Sequence, residues 1–139
     1  ANIPGTRVPT YASDTEAYET AFGLLKQRRY VEAGAAFEDL MLMYPDSLLK
    51  DNATYWIGET FYVMGEFDLA IEKFQDVLDL YPDSQKIPDA MLKVGYSQYE
   101  LKKWLESRST LEELVEMYPG STAGRLASQR LNQLSAAGY

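Results

Sequence analysis

A repeat of 37 residues is the feature that most constrains how this chain can fold. The segment Tyr-Pro-Asp-Ser at residues 44–47 recurs at 81–84 and returns as Tyr-Pro-Gly-Ser at 118–121. When the three copies are aligned, five further columns contain similar residues that lie 37 positions apart: Ala21, Gly58 and Gly95; Tyr30, Phe67 and Trp104; Ala33, Ala70 and Ser107; Phe37, Phe74 and Leu111; Leu40, Val77 and Leu114. Repeats of this length are typical of proteins in which small units stack and share one continuous core.

Each copy has the pattern of two helices joined by a short turn. In the second copy, Ala70, Phe74 and Val77 follow the spacing i, i+4, i+7 of a helix face, and Gly65 separates this run from an earlier one. The proline of each junction predicts the end of the second helix, because the residue before proline is pushed out of the α region. The serine two residues later is the predicted N-cap of the next helix.

Two columns predict how the paired helices meet. A glycine inside a helix costs about 1 kcal/mol relative to alanine, so Gly58 and Gly95 need a compensating reason. We expect close approach of the paired helix there, with Ala21 as the small equivalent in the first copy. The aromatic residues at Tyr30, Phe67 and Trp104 should open each second helix and hold it against the first.

The second copy contains a small residue, an aromatic residue three positions later, and then an alanine, a phenylalanine and a proline. This pattern resembles the tetratricopeptide repeat, here with 37 residues in place of 34. The predicted fold class is therefore all-α: a right-handed superhelix of three helix pairs closed by a C-terminal capping helix. We expect the pairs at about 14–45, 48–82 and 85–119 and the capping helix at about 121–135, all within one repeat domain, 14–139. Arg125 and Arg130 should point outward from the capping helix, and residues 1–13 read as an extended tail or linker remnant.

Composition removes most catalytic classes. The 139 residues include no His and no Cys, which excludes histidine bases, cysteine nucleophiles and thiolate or imidazole metal sites. There is also no glycine loop of the kind that holds phosphates. We therefore expect no enzyme, no cofactor and no metal. The net charge of −8 disfavours nucleic acid, and no apolar run is long enough to span a membrane.

Three stretches of the sequence indicate a resemblance to one particular family of repeat proteins. They are Asn-Ala-Thr-Tyr-Trp-Ile-Gly-Glu at 52–59, the Tyr-Pro-Asp-Ser junctions, and Arg-Leu-Ala at 125–127 with Arg-Leu-Asn at 130–132. Over residues 14–134 the chain resembles the C-terminal repeat domain of the cell division coordinators CpoB, also called YbgF. The resemblance implies a non-enzymatic periplasmic protein that works with the Tol-Pal system, binds TolA, and coordinates peptidoglycan synthesis with outer-membrane constriction during division.

The resemblance leaves two questions open. Members of that family carry a trimerising coiled coil, and because this chain has no heptad segment we expect the repeat domain alone and leave its oligomeric state open. The alternative is a repeat scaffold lipoprotein of outer-membrane protein assembly, similar to BamD. Such proteins start from a lipidated cysteine and carry more repeats, so this reading ranks second for a chain without cysteine.

The first helices should line a concave wall rich in tyrosine, of which the chain has 11. Tyrosine offers a large rigid surface with a polar tip, which suits recognition, although aromatics at helical spacing are also typical of a core. We expect an aromatic and acidic groove for a Lys-rich helical segment of a TolA-like partner, with the peptidoglycan synthesis machinery as a further partner. The predicted partner-binding residues are Tyr18, Phe22, Asn52, Tyr55, Glu59, Tyr62, Asp89, Tyr96, Tyr99 and Glu100.

A second hypothesis concerns the tail. Its apolar residues Ile3, Val8 and Tyr11 could fill the groove of the same or a neighbouring molecule, with a frayed terminus as the plainer alternative.

Overall fold

A computed structural model describes residues 10–139, which contain seven α-helices and no strand. The predicted all-α class is confirmed. The helices are α1 (Asp14–Lys26), α2 (Tyr30–Met43), α3 (Lys50–Val63), α4 (Phe67–Leu80), α5 (Ile87–Glu100), α6 (Trp104–Met117) and α7 (Thr122–Ala136). Each helix packs against the next one along the chain, and α5 also packs against α7.

The turn inside each repeat uses one left-handed residue. Arg28, Gly65 and Lys102 lie 37 residues apart and have φ of 62°, 78° and 60°. In each turn the next N–H donates to a carbonyl five residues back, as Glu66 N does to Phe61 O at 2.9 Å. This is the hydrogen bond of a Schellman-type helix end, which favours glycine at the left-handed position. The second helix then begins at the aromatic residue that the sequence predicted.

Close approach at the small column is confirmed. A Cβ added to Gly58 would lie 2.8 Å from Phe74 Cε1, and one added to Gly95 would lie 2.5 Å from Leu111 Cδ2. Phe74 and Leu111 are fully buried, and Phe37 fills the equivalent place beside Ala21. The packing between the two helices of a repeat therefore depends on the absence of a side chain at this column.

The junction serines differ from their predicted role in two of three cases. Ser121 is the N-cap of α7 and accepts from Gly124 N at 2.9 Å. Ser47 and Ser84 are not N-caps, since α3 and α5 begin three residues later. Their hydroxyls instead donate to the previous repeat, to Asp14 Oδ2 at 2.6 Å and Asp51 Oδ2 at 2.5 Å. The two junctions with these links span residues 44–49 and 81–86, whereas the junction before α7 is shorter and spans 118–121.

Helix α7 and the residue Tyr11 pack against the two ends of the repeat array. Helix α7 buries Ala123, Ala127 and Leu134 against the last repeat, whereas Leu126 is exposed. Ile3 and Val8 of the tail lie outside the described residues. Tyr11 packs against the first repeat, where its carbonyl accepts a hydrogen bond from the Tyr44 hydroxyl at 3.2 Å. Within residues 10–139, no helix combines the length and hydropathy needed to cross a bilayer.

Candidate protein-binding face

An aromatic group joins α1 to α3. The rings of Tyr18 and Phe22 stack with centroids 6.1 Å apart, and the Trp56 indole meets Phe22 edge-on at 5.3 Å. Trp56 Nε1 donates to the Tyr18 hydroxyl at 2.8 Å, so the indole N–H has its acceptor within the group. These rings are half-buried, and they form the first part of a surface that we call the aromatic face.

The second part of the aromatic face lies on α3 and α5 and combines tyrosine rings with cations. Lys93 Nζ lies 4.4 Å from the centroid of the Tyr62 ring. The Arg130 guanidinium from α7 lies 4.1 Å and 4.5 Å from the Tyr96 and Tyr99 centroids. A cation over a tyrosine ring is attracted by the ring quadrupole and is worth about 0.5–2 kcal/mol, depending on its desolvation.

Two further cations cover the same face. Lys86 Nζ lies 4.7 Å from the Tyr55 centroid and 5.0 Å from that of Trp56, and Lys26 Nζ lies 5.2 Å from the Phe22 ring. The aromatic face is therefore a group of rings most of which are covered by a basic side chain, Tyr18 being the exception, and not a bare aromatic groove.

The structure brings nine of the ten predicted residues to the surface. Eight of them are half-buried and Glu100 is exposed; the eight are Tyr18, Phe22, Asn52, Glu59, Tyr62, Asp89, Tyr96 and Tyr99. Tyr55 corrects the prediction: it is only 7% exposed, and its ring packs against Trp56 and Phe74 in the core. Tyr55 is enclosed because Trp56 and Phe74 pack against its ring and Lys86 lies over it. Asn52 and Asp89 line an open cavity together with Lys86.

Burial raises the pKa of three of the tyrosines that were predicted to bind a partner. Burial raises the pKa of the Tyr55 hydroxyl well above its ordinary range, and the charges of Glu59 and Asp89 raise it further. Burial also raises the pKa of Tyr62, reinforced by Glu100 and partly offset by Arg130. For Tyr18, burial raises the pKa while the hydrogen bond from Trp56 lowers it. These hydroxyls therefore stay protonated and neutral at physiological pH.

The acidic character expected of the groove is reduced by internal pairing. Lys93 Nζ lies 3.1 Å from both carboxylate oxygens of Glu59, and both side chains are largely buried, at 20% and 17% exposure. A carboxylate already paired in this way is not free for a lysine of a partner. The unpaired acids of the predicted set are Asp89 and Glu100, among the residues that the structure describes.

The sequence did not predict that Trp56 and the cations belong to the aromatic face. The predicted position of one of these cations, Arg130, was wrong. Arg130 was expected to point outward with Arg125; Arg125 is exposed, but Arg130 lies over two tyrosine rings. The repeat register was the available signal, because Trp56, Lys93 and Arg130 are spaced by 37 residues. Each of the three contacts the residue 34 positions earlier: Phe22, Glu59 and Tyr96.

Solved structures define the class of fold. The first tetratricopeptide domain of Spaghetti (RPAP3), solved with an HSP90 peptide, matches 95% of this chain and 98% of its own with a TM-score of 0.73 at 17% identity. The Yersinia enterocolitica type III secretion chaperone SycD, solved with a peptide of the translocator YopD, matches 91% and 93% with a TM-score of 0.72 at 20% identity. PcrH from Pseudomonas aeruginosa matches 97% and 98% with a TM-score of 0.71 at 11% identity. The chain therefore has a tetratricopeptide-repeat fold.

The sequence comparisons identify the family. The sequence model of YfiO, described as an outer membrane lipoprotein, matches residues 49–128, which is more than half of the chain. The chain belongs to this family. It is also 39% identical over 49 residues to the cell division coordinator CpoB of Pseudomonas putida, which confirms the predicted resemblance. That alignment covers 35% of this chain and 18% of the Pseudomonas protein.

Proposed function

We propose that this chain is a protein-interaction module of the bacterial cell envelope that binds a segment of a Tol-Pal partner, similar to TolA, on its aromatic face. The module would act in the periplasm and coordinate peptidoglycan synthesis with outer-membrane constriction. In this proposal residues 14–139 form one repeat domain, whose helix pairs stack into a right-handed superhelix with the aromatic face on the concave wall and α7 as the cap. The similarity to CpoB supports the choice of pathway.

One observation supports the binding role: α1, α3 and α5 carry half-buried rings that are held by the Trp56–Tyr18 hydrogen bond and by the cations over Tyr62, Tyr96 and Tyr99. Rigid aromatic side chains lose little conformational entropy when a partner covers them, and they dominate the energy of protein interfaces. Tyr62 and Tyr99 occupy the same repeat position and are the expected anchors.

The test is a titration of a TolA fragment against the protein with NMR shift mapping. Replacement of Tyr62 or Tyr99 by alanine should weaken binding by about 1–2 kcal/mol each, or about 5- to 30-fold. Leu105→Ala is the matched control, because Leu105 is 82% exposed and lies on α6, which carries none of the rings of the aromatic face. Losses of only a few tenths of a kcal/mol in both tyrosine variants, with their circular dichroism unchanged, would remove the aromatic face as the binding site.

A second candidate function has its own support. The match to the YfiO outer membrane lipoprotein family favours a scaffold role in outer-membrane protein assembly, similar to BamD. A pull-down from envelope extract separates the two candidates: recovery of Tol-Pal components supports the first, and recovery of barrel-assembly components supports the second.

A further inference from the structure

Arg130 is fixed on the aromatic face without an acceptor for its donors. Its guanidinium lies over the rings of Tyr96 and Tyr99, and its Nη1 atom is buried with no hydrogen-bond partner within residues 10–139. The other nitrogen atoms of the group make no hydrogen bond and no ion pair with the described residues. A desolvated charge that lacks a hydrogen-bonding counter-charge is costly.

Comparison with the preceding repeat shows that Arg130 lacks a carboxylate partner. Lys93 occupies the position equivalent to Arg130 one repeat earlier, and there the residue 34 positions back is Glu59, whose carboxylate holds the lysine at 3.1 Å. For Arg130 the residue 34 positions back is Tyr96, which supplies a ring and no carboxylate. The same helix-to-helix contact thus contains a complete ion pair in one repeat and only the cationic half in the next.

We propose that Arg130 is a receptor site for a carboxylate, presented by an acidic side chain of the protein segment that binds the aromatic face. This inference rests on the proposed function, since it names a chemical feature of that partner. The guanidinium is a planar fork of donors that matches the two oxygens of a carboxylate. The two rings hold the fork in place, so little side-chain freedom remains to be lost when the carboxylate arrives.

The location of the site suits a bound segment. Tyr62 packs against the same core cluster as Tyr96 and Tyr99, the two rings beneath Arg130. The positive charge of Arg130 also partly offsets the raised pKa of Tyr62. A segment that covers Tyr62 and Tyr99 would therefore pass directly beside the guanidinium. Because Glu59 is already bound to Lys93, it does not compete for this cation.

The test uses a blocked tetraglutamate peptide as probe, with blocked tetraglutamine as the uncharged comparison, titrated against the labelled protein by NMR. We expect tetraglutamate, and not tetraglutamine, to shift the Arg130 side-chain resonance and the amides of Tyr96 and Tyr99. Arg130→Gln should weaken this binding about tenfold or more. Arg125→Gln removes the same charge from an exposed position on α7 and should leave it unchanged.

A pair of variants at Tyr96 separates charge from shape. Tyr96→Glu would give Arg130 the internal carboxylate that Glu59 gives Lys93, and should abolish the tetraglutamate response. Tyr96→Gln removes the same ring without adding charge, so it should bind the probe more tightly than Tyr96→Glu does. Glu59→Gln removes the carboxylate that pairs with Lys93, so a second tetraglutamate response should appear at Lys93. Because this variant leaves α7 unchanged, its result does not depend on how α7 tolerates substitution.

Equal probe binding by Arg130→Gln and Arg125→Gln, or by Tyr96→Glu and Tyr96→Gln, would overturn the proposal. So would a response spread over all basic residues. Failure of this kind is distinguishable from failure of the proposed function, because the TolA titration would still depend on Tyr62 and Tyr99 if only the carboxylate site is wrong.

Discussion

The contact between Gly58 and Phe74 gives the sharpest test of how the repeats pack. In Gly58→Ala the new Cβ would lie 2.8–3.0 Å from three atoms of the Phe74 ring, and Phe74 is fully buried. The ring cannot move into solvent, so the helices must separate or the ring must leave its rotamer. Overpacking of this kind costs about 1–3 kcal/mol. The gain in helix propensity offsets about 1 kcal/mol, which leaves a net loss of about 0–2 kcal/mol.

Gly23→Ala is the matched control, because Gly23 also lies within a helix but a Cβ there meets no atom within 4 Å. This variant should be more stable than the wild type by about 0.5–1 kcal/mol. The free energy of unfolding of both variants can be measured by urea titration with far-UV circular dichroism. The expected gap between them is the overpacking term alone, about 1–3 kcal/mol.

A gap below about 0.5 kcal/mol would refute the reasoning, because the two substitutions would then be equivalent despite their different surroundings. A second variant checks the cause. Phe74→Leu removes part of the ring, so it should cost less in the Gly58→Ala background than in the wild type. Equal costs in the two backgrounds would show that the alanine and the ring do not interact.

Three further predictions concern a junction, a buried hydroxyl and a turn. Ser84→Ala removes the hydrogen bond to Asp51 and should lower the free energy of unfolding by about 1–2 kcal/mol in urea titrations; no loss would mean that water replaces the hydroxyl fully. The raised pKa of Tyr55 means that only the unfolded chain ionises this group as pH rises above its ordinary value of 10.0. Stability should therefore fall above about pH 10, and less steeply in Tyr55→Phe; parallel curves would contradict this assignment. Lys102 has a left-handed backbone conformation at the position equivalent to Gly65. Lys102→Gly should therefore stabilise the protein by up to about 1 kcal/mol in thermal or urea unfolding, and a loss of stability would contradict this prediction.

Much of the helical framework could be predicted because it is repeated locally. The aromatic residues Tyr30, Phe67 and Trp104 each begin a helix, as expected from their common column. The need for a small residue at Gly58 and Gly95 was also visible, since glycine inside a helix is unfavourable without a steric reason. Local rules of this kind act within a few residues, and three copies reveal them where one copy would not.

The junction serines show where local rules fail. Serine before a helix predicts an N-cap, and Ser121 follows that rule. Ser47 and Ser84 instead meet carboxylates 33 residues earlier in the chain, Asp14 and Asp51. At the third junction the equivalent residue is Pro88, which has no carboxylate, so Ser121 returns to the local role. The outcome depends on a residue one repeat away, which a short sequence window cannot contain.

The cations of the aromatic face could not be placed from sequence for a related reason. Lysine and arginine have long side chains that can extend into solvent or lie along a neighbouring ring, and both are compatible with the same helix position. The net charge of −8 describes the whole chain and says nothing of where its basic residues gather. Lys86, Lys93 and Arg130 lie over rings because the neighbouring repeat places a ring within their reach.

This distribution of charge changes the kind of partner that the aromatic face can select. A purely Lys-rich segment would find the rings already covered by Lys26, Lys86, Lys93 and Arg130, and each displaced cation would forfeit about 0.5–2 kcal/mol. Its lysines would gain most at the carboxylates of Glu100 and Asp89, which make no ion pair with the described residues. A segment that presents lysines to these acids and one carboxylate to Arg130 would satisfy both kinds of group at once. Charge spacing along the partner, more than its net charge, would then decide which segment binds.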